Sequence, residues 1–179
     1  MKKYILSFLV GAMLQSGAYA ADILTTDVVD TAVNAGSFQT LIAAVKAAKL
    51  EAVFRGPGPL TVFAPTDAAF AKLPAGAVAA LLKDPAALRK LLLGHAVFGQ
   101  ELTLSVIENS AVFRNNGYAR PTPFLLMASG QAEALSCGNS AGCKANIGTS
   151  QYVATDIRAS NGVIQVIDKV LSPEDFISQ

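Results

Sequence analysis

The sequence contains no tryptophan, one histidine and two cysteines among 179 residues, and only 15% of its residues are charged. Each shortage removes a class of function. The lone His95 and the two cysteines fall short of the four ligands a structural zinc site takes, so no metal is expected. A histidine-based catalytic centre would have only His95 to build on. Lysine and arginine number 14 against 13 acids, a net charge of +1. A surface that neutral overall cannot supply the counterion release behind sequence-independent nucleic-acid binding, and it gives little electrostatic hold on a membrane. Gly56-Pro57-Gly58-Pro59 lacks the Lys-Ser/Thr of a phosphate loop, and no Gly-x-Gly-x-x-Gly opens a helix, so no cofactor is expected. No Gly-x-Ser-x-Gly elbow presents a serine nucleophile. Asp67, Asp84, Glu101, Glu108, Asp156 and Asp168 are scattered acids with no spacing specific to glycoside hydrolysis. No catalytic residue is assigned.

Hydrophobic residues make up 52%, which excludes disorder, and the length suits one domain. The first 20 residues read as a secretory leader. Lys2 and Lys3 form the positive start, Tyr4 to Leu14 the apolar run, and Ala18-Tyr19-Ala20 the small-x-small cleavage pattern. The run is shorter than the ~20 apolar residues a span requires, and no later stretch reaches that length. Cleavage after Ala20 leaves a single domain over 21–179, with 12 cations against 13 anions because both lysines leave. The alternative is an anchor helix that stays attached. Such a short leader reads as bacterial, which makes the destination periplasmic or secreted. In that oxidising setting Cys137 and Cys143, flanking Gly-Asn-Ser-Ala-Gly, are expected to form a disulfide worth about 2.4 kcal/mol of loop entropy. Free thiols or intermolecular pairing are the alternatives.

Along the chain, Asp27 to Ala35 suggests a short helix ending at Gly36. Ser37 is then a cap for an amphipathic helix from Phe38 to Ala52, whose apolar stripe is Phe38, Leu41, Ile42, Val45, Ala48 and Ala52. Leu60 to Ala64 reads as a strand. Pro65-Thr66-Asp67 opens a short helix through Phe70 and Leu73, and a second short helix runs from Val78 to Lys83. Asp84-Pro85 starts another that Gly94 ends. Strands are expected at His95–Phe98, Phe124–Ala128, Tyr152–Ile157 and Val163–Ile167. Asn161-Gly162 would form a tight turn of positive φ between the last two. Only Gln165 interrupts the final apolar run, which suggests a strand covered on both faces. The fold class is α+β, helices on a mainly antiparallel sheet system. His95, set between Leu91-Leu92-Leu93 and Ala96-Val97-Phe98, reads as a buried imidazole bonded to backbone or a carboxylate. A base or a surface contact are its other roles.

Two blocks rise above composition. Thr61-Val62-Phe63-Ala64-Pro65-Thr66-Asp67-Ala68-Ala69-Phe70-Ala71-Lys72-Leu73-Pro74 resembles the first signature of the fasciclin domain family, and Asn161 to Pro173 resembles the second. Leu91 to Gly99 stands where that family carries a tyrosine-histidine motif. The resemblance covers about residues 25–174. It implies a compact wedge of β-sheets flanked by helices, and extracellular adhesion through a protein or glycan rather than catalysis. Thr61, Phe63, Pro65, Thr66, Asp67, Phe70, Asn161, Gly162 and Asp168 are then expected to build the fold. Asp156-Ile157 matches a pair linked to integrin recognition in animal members; His95 matches the second motif, although Gly94 replaces its tyrosine and Gln165 replaces a common histidine. Tyr118 and Arg120 lie in the turn-rich middle that matches the family least, where recognition specific to this chain would sit.

Three functions follow. The first is an exported, non-enzymatic binding module of the cell surface or matrix, whose partner is an envelope or extracellular protein or glycan. The second is a periplasmic carrier of a small apolar ligand, which needs a pocket of about 300 Å³ or more. The third is a weak hydrolase, which needs His95 exposed and within ~3 Å of a nucleophile.

Overall fold

Asp27 caps the first helix, α1 (Val28–Ala35), its carboxylate accepting from the Val29 and Asp30 amides at 2.9 Å. A computed structural model describes residues 25–109, 124–137 and 145–171. The expected second helix is broken in two, α2 (Gln39–Ala47) and α3 (Glu51–Phe54). Lys49 adopts φ +55, and the Lys49 and Leu50 amides turn back to the Lys46 and Val45 carbonyls. This is a Schellman ending, formed without the usual glycine, and it swings Leu50 and Phe54 into the core. Ser37 does not cap α2; that role falls to Asp67, described below.

β1 (Leu60–Pro65) leads into α4 (Asp67–Ala71), capped by the Thr66 hydroxyl at the Ala69 amide. α5 (Ala77–Lys83) and α6 (Pro85–Leu93) follow, with Asp84 capping α6 and Pro85 in its first turn, as the dipeptide predicts. The remaining elements are β2 (Ala96–Phe98), α7 (Leu104–Asn109), β3 (Phe124–Leu126), β4 (Ala132–Cys137), β5 (Ala145–Ile147), β6 (Tyr152–Ala159) and β7 (Gly162–Ile167).

The strands form a four-stranded sheet in the order β2-β1-β7-β6 and a three-stranded sheet β3-β4-β5. All pairings are antiparallel except the central one. β1 and β7 run parallel, Leu60 opposite Gly162 through Pro65 opposite Ile167. The β6–β7 hairpin forms, but its turn residues are Ser160 and Asn161, and neither they nor Gly162 has positive φ. The glycine serves a different need: a side chain at Gly162 would strike the Leu60 carbonyl, and one at Gly58 the Asn161 carbonyl.

Alternation along the central strands divides the interior. Leu60, Val62, Ala64, Ile164 and Val166 pack with α1, α2 and α6 through Val28, Leu41, Val45, Leu88 and Leu92. Phe63 and Ile167 face the other way, into Val97, Ile107, Met127, Leu135, Ile147 and Leu171. Coverage on both sides explains why β7 is apolar almost throughout and buried at every position.

Candidate recognition site

Asn161 is the pin of the second signature. Its Oδ1 accepts from the Val28 amide at 3.0 Å, and its Nδ2 donates to the Phe54 and Gly56 carbonyls at 2.9 Å each. One side chain thus ties the start of α1 and the end of α3 to the hairpin. Asp67 does the same for the first signature. Its carboxylate accepts from the Gln39 and Thr40 amides at 3.1 and 2.7 Å, capping α2 from a distance. Burial works to raise its pKa, but the Thr40 and Gln39 bonds outweigh that and hold it below the ordinary value. Asp168 bonds neighbouring backbone, as expected. The Gln151 amide, 2.8 Å from its Oδ1, is the main cause of its lowered pKa, with Lys72 assisting from 3.1 Å. Lys72 also donates to the Asp168 carbonyl, so the two signatures are latched to each other.

Asp156 sits where β6 slips register between Ala154 and Ile157, at φ +59, a conformation aspartate tolerates better than most residues. Its Oδ1 accepts from the Leu104 amide at 2.8 Å and from Gln165 Nε2 at 2.7 Å. Gln165, fully buried, also donates to the Leu102 carbonyl at 2.9 Å and accepts from the Asp156 amide at 3.1 Å. Thr61 completes the grip: its hydroxyl donates to the Gln100 carbonyl and accepts from the Leu102 amide, both at 2.8 Å. Three adjacent strands therefore hold residues 100–104 by polar side chains. Ile157 pairs with Ile164 and packs against the helix-side core. Asp156 and Ile157 thus point to opposite sides, which splits the pair that the sequence suggested as one contact.

His95 is 2% exposed. Its Nε2 accepts from the Leu171 amide at 2.9 Å, so the proton sits on Nδ1, which donates to the Leu91 carbonyl at 2.8 Å. Burial pushes its pKa down to about 4, with the Leu91 bond opposing. Neither nitrogen is left for a hydroxyl nucleophile, and no face of the ring meets solvent. His95 is a strut between α6 and the chain after β7, and as a surface contact it is corrected.

The cavity between helices and sheet measures about 40 Å³ and is lined by aliphatic groups such as Val29, Leu41, Val45 and Ile164, with His95 at one wall. Among the described residues no cluster of three or more His, Cys, Asp or Glu side chains could hold a metal. No helix among them is long and apolar enough to cross a membrane. Tyr118 and Arg120 lie outside the described residues, as does Cys143, the far end of the expected Cys137–Cys143 bridge. Sequence reasoning missed the part of Gln165, although a single polar residue inside an apolar strand was the visible signal. It also missed Asn161 as a three-way acceptor and donor, having read that residue for its turn geometry alone.

The fasciclin domain family model matches residues 36–173. The chain belongs to the fasciclin domain family. An uncharacterised protein of Synechocystis is 36% identical over 145 residues, covering 81% of this chain and 96% of that one. Transforming growth factor-beta-induced protein ig-h3 of Sus scrofa is 30% identical over 138 residues, covering 77% of this chain but only 18% of its own length. In structure, a FAS1 domain pair from the insect cell adhesion molecule Fasciclin I aligns with a TM-score of 0.59 at 14% identity, over 77% of this chain and 46% of that one. That likeness concerns the fold. Of the signature residues, Asp67, Asn161, Gln165 and Asp168 are here committed to internal bonds.

Proposed function

We propose that this fasciclin domain is an exported, non-enzymatic binding module that works at the cell surface or in the surrounding matrix. The observation that carries the reading is the fate of the polar signature residues. Asp67, Asn161 and Gln165 of the two signatures, and with them Asp156 and His95, form hydrogen bonds inside the fold. A frame of this kind presents a fixed exterior and supplies no poised base. The fold's likeness to Fasciclin I, an insect cell adhesion molecule, supports the same reading. The carrier alternative fares worse, since the cavity found among the described residues, about 40 Å³, is far below the ~300 Å³ of ordinary ligand pockets. The leader, with cleavage after Ala20, supplies the export.

The test is capture of partners by the tagged protein from the envelope fraction of its own host. A saturable partner, retained by an Asp156→Asn variant that keeps its fold, is the expected result. Turnover of a substrate by the purified protein, lost on His95→Gln, would overturn the reading.

A further inference from the structure

None of the ion pairs among the described residues involves a residue of α2, α5 or α6. Arg55 pairs with Asp27 and Asp30, Lys72 with Asp168, and Arg158 with Glu101. Lys46, Lys49, Lys83, Arg89 and Lys90 form no ion pair among the described residues, and all five are exposed. They sit on α2, its C-terminal turn, α5 and α6. These helices pack together, α6 against both α2 and α5. Arg89 donates to the Ala48 carbonyl at 3.2 Å, which brings α6 to the end of α2 beside Lys49. The acids nearest in sequence are Glu51 and Asp84, the latter capping α6, so the five cations outnumber the acids beside them. A molecule almost neutral in total therefore carries a local surplus of positive charge on this group of packed helices.

From this we infer that the α2–α5–α6 face binds a linear polyanionic polysaccharide, one bearing carboxylate, sulfate or phosphate groups. The inference rests on the binding-module reading and names the chemistry of its partner. A thin chain touches only part of the surface, so it can lie against these packed helices without meeting the acids of α1 and β6. A flat bilayer would meet the whole side of a nearly neutral protein, and the face offers Leu82 but no exposed aromatic to seat at a lipid interface. The same lack of an aromatic removes the stacking that single-stranded nucleic acid binding uses.

The experiment measures binding of the purified protein to heparin and to polygalacturonate as a function of salt. Wild type binds both, with affinity falling linearly on a logarithmic salt axis. The Lys46→Gln/Lys49→Gln/Lys90→Gln variant, which leaves Arg89 in place, weakens binding by about tenfold or more and flattens the slope. Glu51→Gln, removing the neighbouring acid, tightens it by about twofold. Arg158→Gln/Lys169→Gln, deleting two cations elsewhere, leaves it within about twofold. Equal losses in the triple variant and this control would overturn the inference, as would no binding to either polysaccharide. Binding to phosphatidylglycerol vesicles or duplex DNA in preference to both polysaccharides would also overturn it. If the triple variant still captures the envelope partner at full strength, the polysaccharide assignment falls and the binding-module reading stands; a wild type that captures nothing sinks that reading.

Discussion

The two faces of the four-stranded sheet are built by different means. On the helix side Leu60, Val62, Ile164 and Val166 meet α1, α2 and α6 through hydrocarbon contact. On the opposite side Thr61, Gln165 and Asp156 grip residues 100–104 with hydrogen bonds. The first face draws its stability from apolar area removed from water, where side-chain volume matters most. The second has an apolar core of its own around Phe63 and Ile167, and adds polar groups that must all be satisfied, where the loss of one partner strands another. His95 joins the two, bonded to α6 on one side and to Leu171, part of the second core, on the other.

The comparison can be broken by substitutions that act on one face at a time. Ile164→Ala, on the helix side, should cost about 2–5 kcal/mol in urea unfolding, because the closely packed helices cannot collapse into the space. Acid acts through the strut. The folded pKa of His95, about 4, lies below the free value of 6.5, so between these pH values the unfolded chain binds the extra proton. Stability should therefore fall as pH drops through that window, by about 1.4 kcal/mol per unit and about 3 kcal/mol in all. Urea midpoints for wild type and His95→Gln between pH 7 and 4.5 check this, and the variant should show the shallower decline. Burial raises the pKa of Glu133, which gives the opposite slope above 4.5 in both proteins and cancels in the comparison. Asp67 and Asp168, whose pKa values are lowered, lose their contributions only below about 3.8.

Smaller effects should separate the faces more sharply. Gln165→Ala leaves the Asp156 amide and the Leu102 carbonyl without a partner, a cost of about 1–3 kcal/mol. Amide exchange at Leu102 and Leu104 should quicken, while that of α2 and α6 stays as in wild type. Equal quickening on both sides would mean the faces are not energetically distinct. Asp67→Ala removes the distant cap of α2 and should cost about 1 kcal/mol, whereas Ser37→Ala should leave thermal unfolding unchanged.

Much of the helix side was legible because its signals are local. Asp27 before α1, and Asp84-Pro85 with Gly94 around α6, mark their helices from within a few residues. The other side depends on partners far apart in the chain. Nothing local says that Leu60–Pro65 runs parallel to Gly162–Ile167, or that Asp67 rather than Ser37 caps α2. The break at Lys49 was hidden by an apolar stripe that continues through Ala52; what ends α2 is the gain from burying Leu50 and Phe54. β4 escaped notice because Ala132, Ala134 and Ser136 give its alternation little contrast. At the candidate site, the sequence picked out His95, Asp156 and Asp168 as residues of interest, and the geometry decided between contact and scaffold.

The central claim is that the polar signature residues are consumed within the fold, and His95 tests it most directly. Following the imidazole ring carbons by NMR through an acid titration should show a neutral ring down to about pH 4, with its Nδ1 proton protected from exchange. A midpoint near 6.5 with rapid exchange would place the ring in solvent and contradict the account.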